Sequence, residues 1–355
     1  MSAPQDGPGG PTVPGAGVPA TTAERLAATE RWFAAHGLPY FVPASRARVR
    51  AALHWRRVLP GVVVVGLLAL VVAGGLAWLG SDVALAPATL LTVAGLGAAA
   101  YATSALGARP LVRWAVSRTL GSLPQVLPMV TRALPLLLIF ITFLFINAEV
   151  WQLSASLPAG FLWLTVLMFG AMAALFLLVR LPEEVDRTDD DVDDALLLGA
   201  CRGTPLEADA RELVADPDAD PARRAEVTGL ERWNLILVLL VVQGLQVLLL
   251  ALTVFVFFVL FGTLTMRPEV AESWTGGAVT SAPGLPNLTV ELLSVSVFLA
   301  AFSGLYFTVV AVTDDTFRGQ FFSGVVLELE RAIGVRAVYL ELVDRRPPTG
   351  DAVQG

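Results

Sequence analysis

Long apolar runs broken by short polar segments set the pattern of this 355-residue chain. Six of them, at about 60–80, 83–107, 133–154, 159–180, 234–265 and 290–312, can each cross a hydrocarbon layer ~30 Å thick, which takes roughly 20 helical residues. A backbone in lipid must satisfy its own hydrogen bonds, so each run is predicted to be a helix. The fifth run is longer than the layer and should tilt or project beyond it.

The polar segments carry patterns of their own. Thr21 and Glu24 have capping-box spacing, and Gly37 suits a left-handed C-cap, which predicts a helix between them. "ASRARVRAALHWRR" places Arg46, Arg50, His54 and Arg57 on one helical face beside Trp55, a stripe that suits the phosphate layer of an anionic leaflet. Arg46, Arg50 and Arg57 are thus candidate lipid-headgroup contacts.

Residues 109–131 are interrupted by Pro124 and Pro128 and read as an interfacial elbow, with a re-entrant loop as the alternative. In the 182–231 loop, Thr204, Pro205 and Glu207 predict a helix start. Residues 314–333 predict an amphipathic helix with Phe317, Phe321 and Phe322, stopped by Gly334. "VRAVYLELV" then alternates like a strand, with "LPYFV" at 38–42 as its expected partner and Tyr40 near Tyr339.

Charge gives a direction. Arginine-rich short loops stay in the cytoplasm, and with both termini inside, every arginine except Arg267 falls on that side. Indole rings prefer the membrane boundary. This threading puts Trp32, Trp55, Trp114 and Trp233 at the inner side and Trp78, Trp151, Trp163 and Trp274 at the outer.

Composition agrees and narrows the function classes. The chain is 55% hydrophobic and 15% charged, with mean hydropathy +0.68, outside the soluble range. One cysteine, Cys201, excludes an internal disulfide or a multi-cysteine metal site, and His36 and His54 lack ligand spacing. The spacing of Asp216, Asp218 and Asp220 starts like a calcium loop, but Pro221 and Val227 occupy the positions that need glycine and glutamate. "AGLGAAA" at 94–100 lies in an apolar run and reads as a close helix contact rather than a phosphate loop. No catalytic constellation, cofactor motif or nucleic-acid motif is visible, so the chain is expected not to be an enzyme.

Residues 182–231 hold 16 of the 31 acidic residues against five arginines. This loop reads as an acidic, partly helical arm that could dock a basic protein partner.

The candidate polar site within the bilayer comprises Asn147, Glu149, Gln243, Gln246 and Ser303. Counted at ~1.5 Å per residue, Gln246, Ser303 and Asn147 fall near the midplane, where they could hydrogen-bond across helices. An ionised carboxylate in hydrocarbon costs about 2.5–3.5 kcal/mol or more. Glu149 is therefore expected to reach the outer headgroups, to titrate in a wet cavity, or to pair with Arg267.

"ERWFAAHGLPYFV", "LPLLLIFITFLFINAEVWQ", "QGLQVLLLALTVFVFFVLFG" and "FLAAFSGLYFTVVAVTDDTFRGQFF" resemble successive blocks of an uncharacterised group of multi-pass membrane proteins of high-GC Gram-positive, actinobacterial type. The resemblance implies a plasma-membrane location and carries over no catalytic residue.

The expected fold is an all-α polytopic membrane protein of about six transmembrane helices with amphipathic cytoplasmic helices and both termini inside. Residues 1–20 form a Gly/Pro-rich tail and not a signal peptide, 21–58 a basic arm, 59–181 helices one to four, 182–231 the acidic loop, 232–313 helices five and six, and 314–355 a helix and tail. The expected role is a membrane scaffold or regulatory component in contact with the lipid bilayer. A permease or channel for a small solute or ion around Glu149 is the alternative.

Overall fold

The computed structural model describes residues 21–79, 85–121, 137–190, 192–313 and 315–345. They form an all-α polytopic membrane protein. Five helices are long and apolar enough to cross a membrane: α3 (Trp55–Leu79), α4 (Leu85–Ser104), α8 (Ala159–Asp190), α11 (Gly229–Thr265) and α13 (Val290–Thr313). A sixth candidate is a bent pair, α6 (Leu137–Phe145) and α7 (Ala148–Ser156), which meet at 72°.

The centre of the bundle is α13, flanked by α8 and α11. Close approach explains several glycines. A Cβ on Gly262 would lie 2.3 Å from Leu292, and one on Gly97 would lie 2.5 Å from Val65, where α4 meets α3. The α3–α4 hairpin reaches the rest through contacts of α4 with α8, including Trp163 Nε1 donating to Thr92 Oγ1 at 2.9 Å. Val62, Val64, Leu67 and Leu70 on α3 stay exposed, as a lipid-facing surface requires.

At one end of the bundle, α12 (Pro268–Thr275) and an antiparallel pair, β1 (Ser281–Ala282) and β2 (Leu285–Thr289), join α11 to α13. At the other end lies a charge-rich unit. It comprises α1 (Thr22–Ala35), a 3-10 turn at Pro39–Phe41, α2 (Pro43–Ala52), α5 (Arg109–Gly121), α9 (Asp194–Cys201), α10 (Glu207–Ala215), a second 3-10 turn at Pro221–Arg224 and the later part of α14 (Asp315–Asp344). The first turns of α11 run into this unit, where Glu231 and Asn234 are buried.

Several local expectations match. Thr21 and Glu24 form a full capping box, and Gly37 takes φ +76° after α1. Others need correction. The segment expected to be a strand is helix: α14 continues through Val335–Tyr339, all buried. Alternation misleads there because the helix is enclosed on every side, with paired Arg336 as its polar member.

Gly334 does not stop α14. It lies where α9 crosses, and a Cβ at that position would sit 2.5 Å from the Ala200 Cβ. The expected Thr204 start is also displaced: α10 begins at Glu207, while Thr204 Oγ1 accepts the Leu206 N–H at 3.3 Å. Phe317, Phe321 and Phe322 lie on early turns of α14, but their side-chain environment falls outside the described residues, as do residues 122–131 of the expected elbow and the Trp78 side chain.

Candidate functional site

The expected intramembrane cluster separates into three parts. Asn147 is the N-cap of α7, and its amide oxygen accepts the Glu149 N–H at 2.7 Å. An asparagine cap ends one helix and starts another, so the chain turns there. Trp151, fully buried, locks the turn by donating from Nε1 to the Phe145 carbonyl at 2.6 Å, and its ring meets Trp274 of α12 at 5.8 Å.

This fixes the depth of the turn. Phe145 packs beside Gly262, three residues before α11 ends, so Asn147 belongs at the end of the bundle and not near its midplane. Gln246 lies sixteen residues back along α11, about 24 Å away at the helical rise. A hydrogen bond between Asn147 and Gln246 is excluded. Glu149 is exposed in the first turn of α7, where the helix dipole favours a carboxylate.

Gln246 and Ser303 do share a level, because Gly304 faces Val247 and Ala251. They do not bond to each other: Ser303 Oγ donates to the Leu299 carbonyl at 2.6 Å, and Gln246 Oε1 has no partner. Gln243 is fully buried with neither amide atom partnered, and buried Ser296 Oγ is likewise unpartnered. These groups do not join into a hydrogen-bonded path among the described residues.

The most highly organised polar structure is the charge-rich unit, and sequence reasoning missed its centre. Glu231 accepts from Arg336 Nε at 2.6 Å and from Arg46 Nη1, both of which reach it from other helices. Arg336 Nη1 also donates to the Arg224 carbonyl at 2.7 Å and the Glu226 carbonyl at 3.1 Å. Asn234, one turn along α11, accepts the Tyr40 N–H and donates to the Gly37 carbonyl, both at 2.9 Å. It thereby ties the turn after α1 to α11.

The tripeptide Glu-Arg-Trp occurs twice, at 30–32 and 231–233, and that repetition was the available signal. Glu231 in the second copy holds Arg336, while Glu30 in the first accepts from Tyr339 Oη at 2.8 Å. Both glutamates grip α14, one turn apart. Phe33 adds an edge-on contact with the Tyr339 ring at 5.7 Å and another with Phe41 at 5.4 Å. Residues 38–42 and 335–343 therefore do meet through Phe33, as helix and turn rather than as paired strands.

Much of the acidic loop is used internally. Asp209 pairs with Arg25 at 2.9 Å, Asp186 with Arg232 at 2.8 Å and Asp216 with Arg345 at 2.6 Å, while Asp193 caps α9. Of the three arginines expected at lipid headgroups, Arg46 is committed to Glu231, whereas Arg50 and Arg57 are exposed.

Burial and pairing also set titration in this unit. Burial pushes the Cys201 thiol up to about 12, so it stays protonated and unreactive. Burial lowers the His36 pKa, opposed by its bond from Nδ1 to the Trp32 carbonyl at 2.8 Å. Tyr339 is raised by burial and by Glu30, and Glu341 is lowered chiefly by its hydrogen bond from Arg224. Among the described residues, no group of three histidines, cysteines or carboxylates could hold a metal ion.

Comparison with protein-family models, curated proteins and solved structures finds no match.

Proposed function

We propose that this chain is a plasma-membrane scaffold or regulatory component that acts through its charge-rich unit, held on the cytoplasmic side. The observation that carries this reading is Glu231: α11 crosses the bundle without a break and ends in a buried ion pair that gathers α2 and α14 around it. Such an arrangement holds a folded surface in fixed register to the membrane. The arginine distribution favours the cytoplasmic orientation. Exposed acidic positions such as Asp194, Glu212 and Asp218 remain for a partner of basic character.

A permease is the second reading, and Gln243 supports it as a buried amide with no partner. Reconstituted vesicles separate the two. The scaffold reading expects no proton, ion or small-solute flux, and site-specific photocrosslinking from Glu212 and Asp218 in native membranes should trap one discrete protein. Flux present in the wild type and lost in Gln243→Leu would replace it with the permease.

A further inference from the structure

We propose that a pocket between α2, α3 and α4 binds the phosphate of an anionic membrane lipid, with Arg48 and Arg57 as its ligands. The inference is independent of the scaffold reading. The pocket, of about 410 Å³, is lined by Arg48, Ala51, Ala52, Arg57, Tyr101 and Ala105. Its walls are fixed: Tyr101 Oη donates to the Ala52 carbonyl at 2.9 Å and clips the end of α2 to α4. Three alanines leave the space open, while the two arginines supply the charge.

The charge balance points to an anion. Arg25, Arg46, Arg118, Arg224, Arg232, Arg336 and Arg345 each hold a carboxylate. Among the described residues, Arg48 and Arg57 hold none, as is also true of exposed Arg50 and Arg56 nearby, but Arg48 and Arg57 line the same cavity; Arg48 Nη2 donates only to Ser45 Oγ at 2.9 Å. Both side chains are exposed, so water keeps their mutual repulsion small; what favours an anion is that two guanidinium groups without a carboxylate line one cavity. Their planar donor forks suit phosphate oxygens.

Position points to a lipid as the source of that phosphate. Arg57 lies in the first turn of α3, whose next turns present Leu59, Val62 and Val63 outward, and neighbouring Trp55 is 63% exposed. A free anion would satisfy the arginines and leave this apolar surface bare. A phospholipid covers both, with its acyl chains along α3 and its phosphate in the pocket. A zwitterionic headgroup brings its own ammonium and gains less from the two arginines.

The test is titration of the detergent-purified full-length protein with phosphatidylglycerol or phosphatidylcholine, read by native mass spectrometry. A neighbouring pocket of about 450 Å³ is lined by Arg109 and Arg113, so both are changed to glutamine throughout to isolate the site. Arg48→Gln/Arg57→Gln should then weaken phosphatidylglycerol binding by roughly 30-fold, while Arg48→Lys/Arg57→Lys keeps most of it. Arg223→Gln, at an exposed arginine on the second 3-10 turn, should leave binding unchanged.

Wild-type-like binding by the double glutamine variant, or an equal loss with Arg223→Gln, overturns the proposal. Displacement of the lipid by inorganic phosphate at equal concentration also overturns it, by assigning the site to a soluble anion. Should the double variant not fold, Arg57→Gln alone carries the same prediction with about a fivefold loss, and no loss there rejects it.

Discussion

Arg336 Nε donates to Glu231 Oε2 at 2.6 Å, with 8% and 4% of the two side chains exposed. An ion pair this enclosed is costly to break from one side, because the remaining charge is stranded away from water. Glu231→Ala should destabilise the charge-rich unit by about 3–5 kcal/mol, read as earlier hydrogen exchange in α2 and α14. Glu231→Ala/Arg336→Leu should cost less than the sum of its single changes, with coupling of about 1–3 kcal/mol. Additive costs would show that the pair contributes nothing specific.

The crossing of α9 over α14 makes a second prediction. A methyl at position 334 collides with Ala200, so Gly334→Ala should lower stability by about 1–3 kcal/mol, although alanine favours the helix. Ala200→Gly in that background should recover most of the loss in thermal melting. Failure to recover would place the strain elsewhere.

The turn at Asn147 makes a third. Asn147→Ala removes the cap on α7 and should cost about 1 kcal/mol, while Asn147→Asp or Asn147→Ser should be nearly neutral. Glu149→Gln should change stability by less than about 0.5 kcal/mol, since the carboxylate is exposed. A larger loss for Glu149→Gln than for Asn147→Ala in the same denaturation series would contradict this geometry.

Acid should loosen the charge-rich unit in two stages. The His36 pKa is lowered from 6.5, so the unfolded state binds its proton first and stability falls as pH drops below about 6.5. Arg331 lowers it further and Glu328 opposes, but burial dominates. Glu341 is lowered from 4.5 by Arg224, so its contribution is present above about 4.5 and is lost as pH falls through its folded value. Melting temperatures between neutral pH and pH ~2 should lose the upper stage in His36→Phe and show a smaller lower stage in Glu341→Gln, the remainder coming from other lowered carboxylates such as Asp216.

What the sequence revealed, and what it hid, follows from the range of the forces involved. Membrane helices such as α8 and α13 are legible because hydrocarbon demands long apolar runs whatever their neighbours. The Thr21 cap is legible because both partners lie within four residues. The break at Asn147 was hidden inside an apolar run, and it shows only in the folded chain, as the 72° angle between α6 and α7 and the buried Trp151 bond to Phe145. Gly334 was ambiguous for the opposite reason: a stop and a close crossing use the same residue, and the choice depends on Ala200, far away in sequence.

The candidate polar site was least legible. Counting residues put Gln246 and Ser303 at one level, but a straight-helix count cannot register the bend that takes Asn147 away from them. Glu231 was overlooked because its partners, Arg46 and Arg336, are separated from it by more than a hundred residues in both directions.

The 37 residues of α11 form one rod, about 55 Å long at the helical rise, with Gly262 wedged on Leu292 near one end and Glu231 clamped near the other. Its length exceeds the hydrocarbon thickness, so a thinner or thicker bilayer changes the angle at which it leans. Because α11 is one continuous helix from Glu231 to Gly262, a change in its lean at one end would move the Glu231 clamp at the other. Bilayer thickness and the packing of α2 and α14 would then be coupled through this one helix.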